Sequence, residues 1–569
     1  MRIKESLAIS AAIVSIALFS PAWTAAADKP DDKPAASKAA ETSPQDAARL
    51  DQHHEVPDDP YVKVPPESVR TTPATRIVNG PYFIVQVNVD ENGNNIVGDA
   101  ANEPTIAVDP TDPNIIAIGW RQFDTIYSNF RQAGWGYSTD NGRSWTFPGV
   151  IEPGIFRSDP VLDFDSDGNF FYNSLTTVGS EYVCDVFKSE DGGANWGSKT
   201  AAYGGDKQWM VIDRSGGIGD GNIYANWTLW WSSCNGQFTY SYDGGQTYEP
   251  CIDVPGEPSW GTLAVGPEGE LYVCGDGWGG LTVARSTTLQ DPNQAPAWDL
   301  QSTANIGGSM AAWGGPNPGG LLGQAWIGVD CSDGPYRGYV YLVCSVDTDG
   351  TDPMDVMFTR STDGGYSWSS PVRLNEVQSG WQWFGTMSVA PNGRIDVIWN
   401  DTRNDPGGYD SELYYSYSTD GGASWSPNEA LSPAWDPHIG WPQQDKIGDY
   451  YHMISDTVGA NLAYSATFNG EQDVYYVRIG DFDCNGNGIG DTQDIDDGFS
   501  ADCNYNGIPD ECEGFFCDAD VDNSCNVDID DLFEILGHWG EGAGTYDVNN
   551  DGVVDIDDVF AVLADWGPC

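Results

Sequence analysis

Three features of the 569-residue sequence predict its fold class. An eight-residue turn motif recurs five times, strand–turn–strand patterns precede the copies, and four twelve-residue loops near the C-terminus carry oxygen-bearing side chains at fixed spacing. The first two predict an all-β repeat fold closed into a ring, a β-propeller. The third predicts a small calcium-binding, EF-hand-like module after it.

The chain begins with Arg2 and Lys4, an apolar run from Leu7 to Phe19, and the small residues Ala25-Ala26-Ala27. That order reads as a secretory signal peptide over 1–27, because the run is too short to span a bilayer. Residues 28–75 are rich in Ala, Pro, Lys and Asp with almost no aromatics. Such a stretch buries too little apolar surface to order itself and is expected to be a flexible linker. No later run is long enough to cross a membrane, so the mature protein is expected to be soluble and exported, extracellular or at the cell surface.

From Tyr82 the composition turns to Trp, Tyr, Val and Gly, and the repeats occupy 76–480. The octets begin at Ser138, Ser189, Ser241, Ser361 and Ser418, each with Asp at its third position and Gly at its fifth, and each ends on an aromatic. Gly supplies left-handed backbone, the Asp ties down turn N–H groups, and the aromatic packs beneath. A sixth, eroded copy lies around Arg285 and Trp298. Strand pairs such as Thr105–Asp109 with Ile115–Ile118 precede the octets, and a pair plus an octet hairpin makes one four-stranded blade. Tyr450 to Ile479 supplies three more strands without an octet. The orphan strand Tyr82–Val89 can complete that blade and close the ring through the two chain ends. The count reads as seven blades, with six as the alternative.

The C-terminal loops follow in two pairs. The first pair, within 481–516, offers Asp483, Asn485, Asn487, Asp491 and Asp494, then Asp502, Asn504, Asn506, Asp510 and Glu513. The second, within 517–569, offers Asp520, Asp522, Ser524, Asp528 and Asp531, then Asp547, Asn549, Asp551, Asp555 and Asp558. Oxygens at positions 1, 3, 5, 9 and 12 wrap a chain around Ca²⁺, which needs six to eight of them. Cys525 stands at the sixth position of the third loop, where Gly is usual.

With 25 basic against 85 acidic residues the formal charge is −60, which argues against nucleic acid or an anionic membrane as partner. From Asp481 onward there is no Lys or Arg, so the carboxylates there need a counter-cation. Twelve cysteines in an exported chain are expected to pair. Cys234 with Cys251 and Cys331 with Cys344 are plausible local staples, and the last six belong to the C-terminal module with connectivity open.

Propellers bind ligands at one mouth of the central channel. The position six residues before the end of each inner strand reads Glu103, Asp159, Lys207, Trp260, Gln324, Phe384 and Tyr450. Structural positions of a repeat keep one residue type, and this one does not. Asp206, Trp209, Asp445 and Lys446 lie beside it. Carboxylates, amines and aromatics at one mouth suit a polar ligand with apolar faces, such as a glycan or glycoprotein. If the protein is an enzyme, Asp159 and Glu103 are the candidate catalytic carboxylates.

The octets are Asp boxes, and residues 82–479 resemble the sialidase-like, bacterial-neuraminidase-repeat superfamily. That resemblance implies glycan recognition and, as the alternative, a glycoside hydrolase using an arginine triad. Arg157, Arg285, Arg360 and Arg403 are the arginines to weigh, Arg403 being the best placed. The first loop pair resembles thrombospondin type 3 calcium repeats, and the second, with its loop–helix halves ending in Trp-Gly, resembles a type I dockerin. The dockerin resemblance implies Ca²⁺ binding and attachment to a cohesin-like or cell-surface partner.

Overall fold

The computed structural model describes residues 59–569 apart from 66, 67, 230, 231, 233, 278, 349, 351, 515, 516 and 518; the expected signal peptide lies outside the described residues. Seven antiparallel sheets follow one another along the chain as blades. Blade 1 comprises Ala100–Val108, Ile116–Phe123, Gln132–Ser138 and Thr146–Ile151, paired in that order. The inner strands of blades 2–7 are Ser158–Phe164, Trp209–Ile212, Leu263–Val265, Trp326–Val329, Gln382–Val389 and His452–Ser455.

The ring closes through the chain ends. Tyr82–Gln86 pairs antiparallel with Asp473–Ile479, Ile84 opposite Val477, and supplies the fourth strand of blade 7. Arg76–Asn79 adds a fifth strand outside it. Upstream, Arg70–Pro73 pairs with Asn94–Val97, and the Tyr61 ring lies 5.3 Å from that of Phe130. The end of the expected linker is therefore ordered, because Tyr61 and the strand pairing give it something to bury.

The Asp boxes form one repeated turn. In the first, Ser138 Oγ donates to Asp140 Oδ1 at 2.7 Å, and the Ser144 amide donates to the same oxygen at 2.8 Å. The Gly142 amide donates to Ser138 Oγ at 2.9 Å. The same bonds recur around Asp191, Asp243, Asp363 and Asp420. In the eroded copy Asp299 takes over, accepting from the Thr287 amide. Arg285 donates to the Gly364 carbonyl and Arg360 to that of Gly421, so both arginines staple one blade to the next blade's box.

Blade 3 has three strands, and Cys234–Cys251 bonds the segments beside its outer edge. The other expected staple does not form: Cys331 and Cys344 are free. Val329 pairs with Val340, which puts Cys331 beyond the strand end while Cys344 sits deep within the next strand. In the C-terminal module Cys484–Cys512, Cys503–Cys525 and Cys517–Cys569 are bonded. Four disulfides in all are typical of an oxidising, extracellular compartment. Among the described residues no helix is long and apolar enough to cross a membrane.

Candidate functional site

Most inner strands enter the channel through a common backbone kink. Glu103, Asp159, Lys207, Trp260 and Phe384 hold φ of 52°, 46°, 53°, 53° and 59°, a left-handed conformation that residues other than glycine seldom adopt. These are five of the seven aligned mouth positions, so the register read from the repeats is that of the backbone. In blades 1, 2 and 6 the kink falls where the pairing of inner and second strands shifts register. Conformations of this kind persist only where their surroundings over-determine them.

The surroundings on one side of the ring are ionic. Lys446 Nζ lies 3.6 Å from Glu103 Oε1 and 2.7 Å from Asp449 Oδ2. Lys207 Nζ pairs with that same Asp449 oxygen and lies 3.7 Å from Asp159 Oδ2. Arg121 Nε approaches Glu103 Oε2 at 3.2 Å. None of these side chains is more than 5% exposed. Three carboxyl groups meet three cations in a closed, buried cluster. Burial pushes the Glu103 carboxyl up to about 8, although Arg121, Lys207 and Lys446 pull the other way.

The other side is aromatic. Trp260 meets Trp313 edge to face at 6.2 Å, and Phe384 packs on Trp383 and Tyr451. Gln324, between Trp260 and Phe384 in the ring order, is also buried. Trp313 belongs to a hairpin, Ala312–Gly314 with Asn317–Leu321, in the connection from blade 4 to blade 5. The hairpin lies against 445–449: the Leu321 amide donates to Asp449 Oδ1 at 2.7 Å, and Asn317 Nδ2 donates to the Gly448 carbonyl at 2.8 Å. A Cβ at Gly320 would stand 2.5 Å from Asp449 Oδ1, so only glycine fits there.

The open mouth expected from the sequence is therefore covered. Glu103 and Asp159, the candidate catalytic carboxylates, are buried and linked through Lys446, Asp449 and Lys207. Asp206 is buried beside the cluster, and Asp445 is exposed with its carbonyl accepting from Gly319. Arg403 stacks on Tyr414 at 3.8 Å and pairs with Asp401 at 2.7 Å, within blade 6. Arg157 is likewise internal to blade 2, paired with Asp185 at 2.7 Å. Trp209 lies deeper in the channel, edge-on to Trp326, Tyr450 and His452 at 5.0–5.4 Å. Below it a cavity of about 830 Å³ opens at the far ends of the inner strands, lined by Trp326, Met387, His452 and Arg214 among others.

Asp449 and Arg121 escaped the sequence reading. Arg121 was recoverable: it pairs directly across from Asn102, next to the kinked Glu103. Asp449 stands one residue before the aligned Tyr450, in an irregular segment that strand periodicity does not cover.

These shifted carboxyls set a pH profile. Glu103 at about 8 and Asp473, raised by burial to about 7, contribute stability that is complete below their ordinary values and lost as pH rises through 7 to 8. For Asp420, burial raises the carboxyl, but bonds from Ser424 and Ser418 outweigh this and bring it to about 2. Its contribution is present above its ordinary value and lost on acidification towards 2. Calorimetry at constant, saturating Ca²⁺ should give the propeller its highest melting temperature at about pH 4–6. A value still climbing between pH 6 and 8 would contradict the assignment.

The C-terminal loops share one wrap. Amides at positions 5 and 6 donate to the position 1 carboxylate in all four: Asp483, Asp502, Asp520 and Asp547. Cys525 holds φ of 65° and donates from its amide just as Gly552 does, so the disulfide-bonded Cys takes the glycine's conformation. Oxygens of Asp520, Asp522 and Asp531 lie within 4.8 Å of one another, a spread one Ca²⁺ can bridge with ligands at about 2.3–2.6 Å. At position 12 of the first loop, Asp494 is fully buried and its Oδ1 has no hydrogen-bond partner among the described residues. An all-oxygen donor set with an orphaned buried carboxylate oxygen fits Ca²⁺. Asp528 and Asp555 also cap the helices Ile529–Gly537 and Ile556–Ala564.

Fold and site together define a seven-bladed Asp-box propeller joined to a small disulfide-bonded module. No protein-family model and no curated protein matches the chain. Among solved structures it is similar to a protein of unknown function from Dyadobacter fermentans, at 13% identity and a TM-score of 0.40, over 72% of this chain and 99% of that one. It is similar to YCF48 bound to D1 peptide at 11% identity and a TM-score of 0.40, over 72% and 99%. A third is the Hadza microbial sialidase Hz136, at 12% identity and a TM-score of 0.36, over 64% and 76%. Likenesses at this level concern the fold alone.

Proposed function

We propose that the chain is an exported, calcium-assembled binding protein, which fastens to a protein partner through its C-terminal module and presents a glycan-directed propeller. One observation carries the docking half. Helix Ile529–Gly537 and the turn after it expose Ile529, Phe533, Leu536 and Trp539, and helix Ile556–Ala564 and the residues after it expose Ile556, Phe560, Leu563 and Trp566. The same four residue types recur at the same spacing, each at least 48% exposed. Unpaired aromatics in a repeated stripe are the composition of a protein interface. The twin stripes support a partner of cohesin-like class that either helix can engage. Ca²⁺, held by the loops that cap these helices, would fix their orientation, and the chain's own carboxylates supply its ligands. For the propeller, a glycan or glycoprotein ligand rests on the Asp-box resemblance.

A second reading, a glycoside hydrolase, is favoured by Glu103. A carboxyl near 8 still carries its proton at neutral pH and can act as a general acid. Asp159 would then serve as the second carboxylate, once the hairpin over the cluster moves aside.

The test uses the full secreted chain with and without Ca²⁺ against cohesin domains, sialosides and acidic polysaccharides. Binding to a cohesin domain that requires Ca²⁺, survives either Phe533→Asp or Phe560→Asp alone and weakens at least about thirtyfold when the two are combined supports docking. Retained Ca²⁺ with no cohesin captured across the panel removes it. Glycan binding without turnover favours the first reading; hydrolysis abolished by Glu103→Gln and Asp159→Asn establishes the second.

A further inference from the structure

The first Asp box departs from the other four at two positions, and both departures touch the first calcium loop. At the fourth position the later boxes have Gly192, Gly244, Gly364 and Gly421, with φ between 66° and 71°. The first box has Asn141 there, at φ of 57°, where a glycine would be free of strain. At the sixth position the later boxes have Ala194, Gln246, Tyr366 and Ala423, and the first has Arg143.

Asn141 is 3% exposed, and its Nδ2 donates to the Asp483 carbonyl at 3.1 Å. Arg143 Nη2 donates to Asp491 Oδ2 at 2.7 Å, and its guanidinium lies 3.9 Å above the Phe482 ring. Asn114 Nδ2 adds a bond of 2.7 Å to the Cys484 carbonyl. The strained asparagine is thus kept where its side chain holds the start of the loop.

The clamped loop sits on the seam where the ring closes. Phe482 packs edge-on against Phe83 of the closing strand at 5.7 Å, and Arg478 of blade 7 donates to the Asp481 carbonyl at 2.7 Å. Gly142 leaves space for the Tyr476 ring of blade 7, which a Cβ would meet at 2.3 Å. Box 1, both chain ends of blade 7 and the loop Asp483–Asp494 form one packed unit.

We infer that Ca²⁺ in this loop is a latch: by fixing Asp483–Asp494, it pins the C-terminal segment to the first Asp box and stabilises ring closure. The inference rests on the calcium reading of the loop, which the orphaned Oδ1 of buried Asp494 supports independently of spacing. It predicts that a cation bound outside the propeller sets the propeller's own melting temperature.

Calorimetry of the full chain, paired with calorimetric Ca²⁺ titration, tests this. At a thousandfold excess over Kd, Ca²⁺ should raise the propeller transition by about 5 °C. Arg143→Gln should lose most of that shift while binding the same number of ions. Asn141→Gly, which restores the sequence of the other boxes and cannot harm the turn, should lose part of it. Asp494→Asn should bind one ion fewer and also lose the shift. Ca²⁺ that binds the wild-type chain without moving the propeller transition overturns the latch and leaves the calcium reading intact. A chain that binds no Ca²⁺ overturns both.

Discussion

Replacing Lys207 by Met should destabilise the propeller by about 3–5 kcal/mol, the usual cost of removing one partner from a buried ion pair. Lys207 serves Asp449 and Asp159 together, at 5% side-chain exposure, with the carboxylates at 1% and 0%. Without it, Asp159 retains Ser158 Oγ at 2.7 Å and the residue 207 amide at 3.1 Å, but no cation in the cluster described above. Asp449 retains Lys446. The melting temperature should fall by about 4–6 °C for a cooperative unit of this size. Adding Asp159→Asn to Lys207→Met should restore part of the loss, because the uncompensated charge goes with its partner. Calorimetry of the two single variants and the double variant measures this coupling. Strict additivity would show that the cluster is not the interdependent network its geometry describes.

Much of this architecture is legible in the sequence because an Asp box is a turn defined by a few local bonds. Each box marks an outer hairpin, the apolar strand pair before it marks the inner strand, and counting back from that strand's end gives the residue at its entry. The orphan strand at Tyr82 was legible for a complementary reason: an apolar strand with no partner nearby needs a distant one, and blade 7 lacked a strand. The cover over the mouth was not legible. Asn317, Gly319 and Leu321 act mainly through backbone groups and one amide side chain, and no periodicity records such contacts. The same limit hid Asp449. The Cys331 and Cys344 pairing failed for want of register, since proximity in sequence says nothing of which strand end a thiol reaches.

Deleting residues up to Asp90 should abolish the cooperative propeller transition altogether. Blade 7 would keep three strands, and the outer face of Asp473–Ile479, buried along its whole length, would become an unpaired edge. Ile84 is fully buried in the core shared with Leu462, Tyr475 and Val477, so the loss is one of packing as well as of hydrogen bonds. In a ring each blade is held by two neighbours, and opening one seam removes a contact from blades 1 and 7 at once. Far-UV circular dichroism of the truncated chain should show native-like strand content, and calorimetry should show no sharp melting event. A synthetic peptide covering 76–89, added in excess, should restore the transition, since the strand docks in register without covalent continuity to blade 1. A truncated chain that melts like the intact one would mean that blade-to-blade packing alone closes the ring. The chain-end pairing would then be ornament rather than fastening, and the Ca²⁺ latch would have no seam to hold.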